Sequence, residues 1–147
     1  NFSENFFDAI VLWDVIEHVL DPVALLAEIQ RILHPGGLLV FTTPDTSSIL
    51  CRLQNKSWRL FDPPYHLNYF RRRNIRKILG SAAFKVLKMQ ITWEWHSFRY
   101  LLHAFRVYYG NLHIECFKNL PLKSQLGTVI VPITLCDIMT VYAINET

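Results

Sequence analysis

The chain has 147 residues, of which 51% are hydrophobic and 14% aromatic, enough to bury a core and to argue against a disordered protein. Its formal charge is +3, from 15 basic and 12 acidic residues. Five basic residues lie close together in the sequence, at Arg71, Arg72, Arg73, Arg76 and Lys77. No aromatic-basic repeat or reader motif accompanies them, so we interpret the cluster as a solvated helix face and expect no nucleic-acid partner.

The spacing of the three cysteines indicates the redox state of the cellular compartment. Cys51, Cys116 and Cys136 are widely spaced and lack a C-x-x-C pairing, which favours neither a disulfide framework nor a zinc site. A reducing, cytoplasmic setting is the expectation. The chain opens at Asn1 without a signal peptide and runs almost at once into a strand-like segment, so its start is expected to be a cut through a longer protein.

One apolar stretch, Leu126 to Ile144, is about long enough to cross a membrane as a helix. Asp137 would then lie near the bilayer centre, and Pro132 would interrupt the helix. Many of the other residues in the stretch are β-branched and favour strands. The sequence therefore favours strands here over a membrane span.

The first elements predict a strand, a helix and a second strand. Asp8 to Trp13 is a nearly continuous apolar run, the pattern of a strand buried in a parallel sheet. Asp21 and Pro22 are good residues to begin a helix, and apolar residues follow on one stripe: Leu25, Leu26, Ile29, Ile32 and Leu33. His34 to Gly37 is predicted to end the helix in a glycine turn, before a strand from Leu38 to Thr43. Together these segments predict a βαβ unit with parallel strands.

Further helices and strands are predicted in the rest of the chain, and we recognise no linker that would divide the chain into two domains. Residues 1–147 are therefore expected to form a single domain, with residues 95–135 as a covering helical segment within it. The further predicted elements are a helix from Thr46 to Leu53, a loop from Gln54 to Tyr69, a helix from Arg72 to Ser81, a strand from Phe84 to Trp93, a covering helix within Trp95 to Leu120, and a last strand from Ile138 to Ile144.

Several segments in a fixed order carry a family resemblance: Phe7 to Val11, Asp14 to Val19, Asp21-Pro22, Leu33 to Gly37, Pro64 to Phe70, and Ile78 to Val86. Their combination resembles the C-terminal part of class I S-adenosylmethionine-dependent methyltransferases, in the small-molecule branch that includes ubiquinone-biosynthesis enzymes. The resemblance implies an α/β fold with a partial Rossmann-like sheet. That sheet would be mostly parallel with an antiparallel last strand, and helices would cover both faces. S-adenosylmethionine is the implied cofactor.

The sequence departs from the family pattern in two respects. Ala83 stands where the family usually has glycine, so a strained or reshaped turn is expected there. No G-x-G occurs in the chain, and the family's glycine-rich loop and ribose-binding acid belong to earlier strands. We therefore expect the chain alone to be inactive and to bind cofactor poorly. The strand from Asp8 to Trp13 would then present an unpaired edge, which favours aggregation or dimerisation.

By resemblance, Trp13 and Asp14 lie beside the cofactor at the end of the first strand. The alternative is that Trp13 packs on the following helix and Asp14 caps it. Asp14, Glu17 and His18 could in principle ligate a divalent metal. A structural role is favoured for that group, and no metal site is assigned.

His66 is the candidate catalytic or substrate-contacting residue. It follows the rigid Pro63-Pro64 pair in the loop beyond the second strand, and histidine titrates in the range needed to remove a hydroxyl or amine proton. A structural role, tying the loop to backbone, is the alternative. Aromatic residues of the same loop could line an acceptor pocket or pack over a sheet edge: Trp58, Phe61, Tyr65, Tyr69 and Phe70.

These observations favour methyl transfer from S-adenosylmethionine to a small-molecule acceptor. One alternative is a non-catalytic interaction module that uses the aromatic and basic stretch from Trp95 to Lys118 as its contact surface. Another is a membrane-associated methyltransferase for a lipid-like acceptor, with the same stretch in peripheral contact with the bilayer. The acceptor and the oligomeric state stay open.

Overall fold

A computed structural model describes residues 2–101 and 128–147 of the chain. The chain divides into two compact units, one formed by Asn1–Thr92 with Leu135–Thr147 and the other by Trp93–Thr134. The first unit contains every residue for which the sequence predicts a role in cofactor, acceptor or metal binding.

The first unit is built on a four-stranded sheet with the strand order β1-β2-β6-β3. β1 pairs with β2 in parallel, and β6 is antiparallel to both β2 and β3. Three strands therefore run in one direction, and the last strand inserts in the opposite direction between its two predecessors, which confirms the expected mixed α/β fold. The strands are β1 (Phe7–Leu12), β2 (Leu33–Pro44), β3 (Phe84–Ile91) and β6 (Ile138–Asn145).

Helix α1 (Pro22–Ile32) connects β1 to β2, as the apolar stripe predicts. The Asp21 side chain caps it by accepting hydrogen bonds from the backbone N–H groups of Val23 and Ala24, each at 2.9 Å. Leu26 and Ile29 are its buried residues. The βαβ unit predicted from the sequence is therefore confirmed.

The predicted glycine turn after α1 is wrong, because β2 begins immediately at Leu33 and includes these residues. The register between β1 and β2 shifts between Phe7 and Ala9, and residues 34–37 form an irregularity in the pairing. Gly36 has a positive φ of 77°, and a Cβ on Gly37 would lie 2.7 Å from the Leu33 Cγ. Gly36 and Gly37 are therefore required by the bulge in β2.

The remaining helices described in this unit are α2 (Ile49–Gln54), a short 3-10 helix (Asn55–Ser57) and α3 (Arg72–Ser81). Helix α2 is shorter than predicted, whereas α3 has the predicted bounds and buries Ile75 and Leu79. At the start of α3, Arg72 Nε donates to the buried Asp45 carboxylate at 2.7 Å. One member of the basic cluster therefore has a structural partner.

One hydrophobic core joins the helices to the sheet. Its buried members are Ile16, Leu26, Ile29, Leu33, Leu39, Phe41, Phe70, Ile75, Leu79, Phe84, Met139, Val141 and Ala143. They come from α1, α3, all strands of the sheet except β1, and the two loops that follow β1 and β2.

The second unit contains the antiparallel pair β4 (Glu94–Ser97) and β5 (Ile130–Ile133). The predicted covering helix is therefore wrong at its start, where Trp95 pairs with Pro132 in a strand. Residues 98–101 are helical, and the rest of the predicted helix lies outside the described residues.

The apolar stretch from Leu126 to Ile144, considered above as a membrane span, contains β5 and most of β6. Within residues 2–101 and 128–147, no helix is both long and apolar enough to span a bilayer.

Candidate functional site

The carboxyl ends of β1 and β2 lie side by side, since Leu12 pairs with Phe41 in the parallel register. Trp13 and Asp14 follow β1 directly, and Thr42 and Thr43 are near the end of β2. In open α/β sheets, ligands bind beyond the carboxyl ends of the strands. We call Trp13, Asp14 and Thr42 the rim.

Asp14 is attached to the neighbouring strand by two hydrogen bonds. Its backbone N–H donates to Thr42 Oγ1 at 3.0 Å, and Thr42 Oγ1 donates to Asp14 Oδ1 at 2.9 Å. Asp14 also has a positive φ of 50°, a conformation that aspartate tolerates better than most residues and that is common at functional sites. The cap of α1 is Asp21, so the alternative capping role for Asp14 is wrong. Thr42 is a residue that the sequence analysis missed.

Trp13 is 62% exposed. This exposure is inconsistent with the alternative in which the indole simply packs on the following helix. Asp14 is exposed as well, so both residues are accessible at the rim.

The loop after β1 and the long loop after β2 are joined by backbone hydrogen bonds. The N–H groups of Leu67 and Asn68 donate to the Glu17 carbonyl at 2.9 and 3.0 Å. The Asn68 side chain Nδ2 donates to the Val19 carbonyl at 2.7 Å. These contacts bring His66 next to the Glu17-His18 pair.

The His18 and His66 rings lie with their centroids 4.8 Å apart. His18 Nδ1 donates to the Tyr65 carbonyl and His66 Nδ1 donates to the Leu60 carbonyl, each at 2.7 Å. A carbonyl only accepts, so each Nδ1 carries a proton, and in the neutral ring Nε2 keeps its lone pair. Both rings are thus held in the tautomer that offers Nε2 as a ligand or base.

Glu17 is only 1% exposed, and its Oε2 atom has no hydrogen-bond partner among the described residues. Burial raises the pKa of the Glu17 carboxyl above its usual range, opposed by a backbone hydrogen bond. The nearby Asp14 carboxylate raises this pKa further, while His18 and His66 lower it. A carboxylate oxygen of Glu17 and one nitrogen of each ring all lie within 4.8 Å of one another.

The structure therefore assembles a different trio from the one considered in the sequence. Glu17 and His18 are joined by His66, and Asp14 instead pairs with Thr42. Adjacent sequence positions suggested Asp14, Glu17 and His18. Only the contact between the two loops brings in His66, and this contact leaves no periodic signal in the sequence.

The aromatic residues of the long loop separate into two groups. Trp58 is 2% exposed and its Nε1 donates to Asp137 at 2.9 Å, while Phe70 belongs to the core. For these two, the burial favours the alternative in which the loop aromatics pack against the sheet. The other three are at least partly exposed: Phe61, Tyr65 and Tyr69.

Comparison with known proteins agrees with this geometry. Residues 1–89 match the family described as Methyltransferase domain. The chain belongs to this methyltransferase family. The resemblance to class I methyltransferases found in the sequence is confirmed.

Similar sequences and folds come from several organisms. A ubiquinone biosynthesis O-methyltransferase of Cereibacter sphaeroides is 46% identical over 37 residues, which are 25% of this chain and 15% of that protein. The fold resembles a methyltransferase structure from Bacillus halodurans with a TM-score of 0.59 and 13% identity, covering 99% of this chain and 67% of the other. An S-adenosylmethionine-dependent methyltransferase from Archaeoglobus fulgidus matches with a TM-score of 0.56 and 15% identity, covering 97% of this chain and 61% of that chain. At these identities the structures establish a shared methyltransferase fold.

Proposed function

We propose that the protein transfers a methyl group from S-adenosylmethionine to a small-molecule acceptor. The observation that carries this proposal is the rim at the carboxyl ends of β1 and β2, where the Thr42 hydroxyl fixes Asp14 beside an exposed Trp13. In a methyltransferase fold this is the place for the cofactor. The Trp13 indole offers an aromatic face against which a planar base can stack.

The reaction places modest demands on the protein. The acceptor nucleophile forms a bond to the methyl carbon while the bond from that carbon to the sulfonium breaks, and S-adenosylhomocysteine leaves. Alignment of the two reactants is the main requirement. A protonated acceptor must also lose its proton.

His66 is proposed to be the residue that acts on the acceptor. Its Nδ1 is held by the Leu60 carbonyl, so the Nε2 lone pair is the one available to a hydroxyl or amine. Because the loop after β2 is hydrogen-bonded to the loop after β1, His66 belongs to the same end of the sheet as the rim. This arrangement supports a site in which cofactor and acceptor meet.

The cofactor half of the proposal is tested by equilibrium dialysis of the full-length protein against tritiated S-adenosylmethionine. Trp13→Ala is expected to weaken binding at least about tenfold, the equivalent of about 1.4 kcal/mol. Trp93→Ala is the matched control, because Trp93 is also 62% exposed but belongs to the second unit. Equal affinity of the Trp13 variant and the wild type would contradict the assignment.

The acceptor half is tested by release of S-adenosylhomocysteine in the presence of a panel of phenols, alcohols and amines. His66→Asn is expected to lower turnover about 100-fold, the lower range for loss of a group that handles the proton. Asparagine can still donate to the Leu60 carbonyl, so the loop is preserved. His34 is exposed, and the control variant His34→Ala is expected to keep full turnover. Unchanged turnover in His66→Asn would remove His66 from the proposed role.

A cytoplasmic setting is part of the same proposal. It is supported by three cysteines without the spacing of a disulfide framework.

A further inference from the structure

We propose that Glu17, His18 and His66 form a binding site for a divalent transition-metal ion. The three side chains come from two loops that follow adjacent strands, and their potential ligand atoms lie within 4.8 Å of one another. This is close enough for a single cation to reach all three after small side-chain movements, since bond lengths to such ions are about 2.0–2.2 Å.

The state of Glu17 is the first argument. The residue is 1% exposed, and within the part of the chain that the structure describes Oε2 has no hydrogen-bond partner. A buried carboxylate oxygen without a partner is costly unless a cation or a donor compensates it. A bound cation would supply the missing partner.

The orientation of the two imidazoles is an independent argument. Metal-binding histidines commonly donate the second ring N–H to a backbone carbonyl, which fixes the tautomer and makes the ligating nitrogen more basic. His18 and His66 both do so, through Tyr65 and Leu60, each at 2.7 Å. Two rings fixed in the same way beside one buried carboxylate point to a common ligand.

The donor set indicates the class of ion. Two imidazole nitrogens and one carboxylate oxygen suit zinc, iron or cobalt, whereas magnesium and calcium prefer sites made of oxygen atoms. Three protein ligands also leave a coordination position open. The site therefore fits a metal that can accept an outside ligand.

The position of the site connects it to the proposed function. In the metal-free protein the Nε2 lone pair of His66 is available to the acceptor as proposed above, and with a cation bound it would instead hold the metal. The open position would then hold an oxygen or nitrogen of the acceptor. This second step rests on the proposed function, whereas metal binding itself does not.

The test is calorimetric titration of the EDTA-treated 147-residue protein with Zn²⁺ alone, without cofactor or acceptor. We expect one equivalent to bind, and Glu17→Gln, His18→Asn and His66→Asn each to weaken the affinity at least about tenfold. Asparagine places an amide N–H near the position of Nδ1, so the histidine variants keep the carbonyl hydrogen bond but lose Nε2. His34→Ala is the control and is expected to bind as the wild type does.

Titration with Co²⁺ gives a spectroscopic readout, because visible absorption bands report imidazole and carboxylate ligation directly. We expect these bands in the wild type and their loss in Glu17→Gln. Melting curves of the metal-free variants identify any that fail to fold. If a histidine variant fails to fold, Glu17→Gln still tests the site, because it keeps the size of the side chain. Absence of Zn²⁺ binding by the wild type, or equal affinity in the wild type and all three variants, would overturn the proposal.

The metal and cofactor experiments fail independently. Trp13→Ala is expected to bind Zn²⁺ as the wild type does, since Trp13 is not among the three ligands. Unchanged cofactor affinity in Trp13→Ala would therefore contradict the proposed function alone, whereas absence of Zn²⁺ binding by the wild type would overturn the metal site alone.

Discussion

Ala83 has a left-handed backbone, with φ of 56°, immediately after the cap of α3. This position commonly holds glycine, because a Cβ makes the left-handed conformation unfavourable. The turn is nevertheless retained, and the Ala83 carbonyl accepts a hydrogen bond from the Glu146 N–H at 2.9 Å. In this turn, the backbone strain expected from the sequence therefore lies at Ala83.

We predict that Ala83→Gly stabilises the protein by about 1 kcal/mol, because glycine relieves the cost of a left-handed alanine. Chemical denaturation of the two proteins measures the difference. Ala82→Gly is the control at the preceding residue, where φ is −101°, and there glycine should destabilise. Destabilisation by both substitutions would show that the left-handed turn is not strained.

At the residue scale, the sequence predicted features that depend on neighbouring residues better than contacts between distant segments of the chain. Asp21 as the cap of α1 and the strain at Ala83 follow from local chemistry and are confirmed. The pairing of Asp14 with Thr42 depends on the register between two strands. That register became visible only in the folded sheet.

At the element scale, a buried polar link fastens the long loop to the residue before β6. Asp137 is 1% exposed and accepts hydrogen bonds from Trp58 Nε1 at 2.9 Å and Arg59 Nη2 at 3.0 Å. Its backbone carbonyl also accepts from the Asp45 N–H at 2.8 Å. The loop after β2 is therefore anchored to the sheet, and His66 is carried on an anchored segment.

We predict that Asp137→Asn lowers the free energy of unfolding by about 2 kcal/mol, because the charged acceptor of two buried or half-buried donors is lost. The measurement is the urea midpoint at constant slope. Glu146→Gln is the control, since Glu146 is exposed and its ion pair with Lys85 Nζ is long, at 3.9 Å. That exposed pair contributes about 0–1 kcal/mol at most. Similar midpoints for the two variants would contradict the anchoring role.

Element types were largely predictable, and element boundaries depended on pairing. Helices α1 and α3 follow from their apolar stripes and end residues. The bulge at residues 34–37 was mistaken for a turn, because glycine serves both purposes and only pairing with β1 distinguishes them. The start of the predicted covering helix was wrong because Trp95 to Ser97 pair with β5, and that pairing between distant segments is visible only in the folded chain.

At the scale of the whole molecule, β1 is the edge strand of its sheet among residues 2–101 and 128–147. Val11 is 59% exposed and Phe6 56% exposed on or beside this strand. An edge strand with exposed apolar side chains is a template for pairing with another chain. An unpaired edge at this strand is also what the sequence predicted.

We predict that the 147-residue protein self-associates in a concentration-dependent manner, and that Val11→Lys raises the dissociation constant about tenfold by placing a charge on the edge strand. Sedimentation velocity over a range of concentrations measures the effect. Val23→Lys removes a comparably exposed valine, 53% exposed, from α1 and should leave association unchanged. A monomer at all concentrations would contradict the prediction.

The most direct test of the account is a crystal structure of the full-length protein with S-adenosylhomocysteine. We predict that the ligand lies beyond the carboxyl ends of β1 and β2 and contacts Trp13 and Asp14. It is expected at the same end of the sheet as the loop that carries His66. A ligand bound at the opposite ends of these strands, or with Trp13 and Asp14 still exposed to solvent, would contradict it.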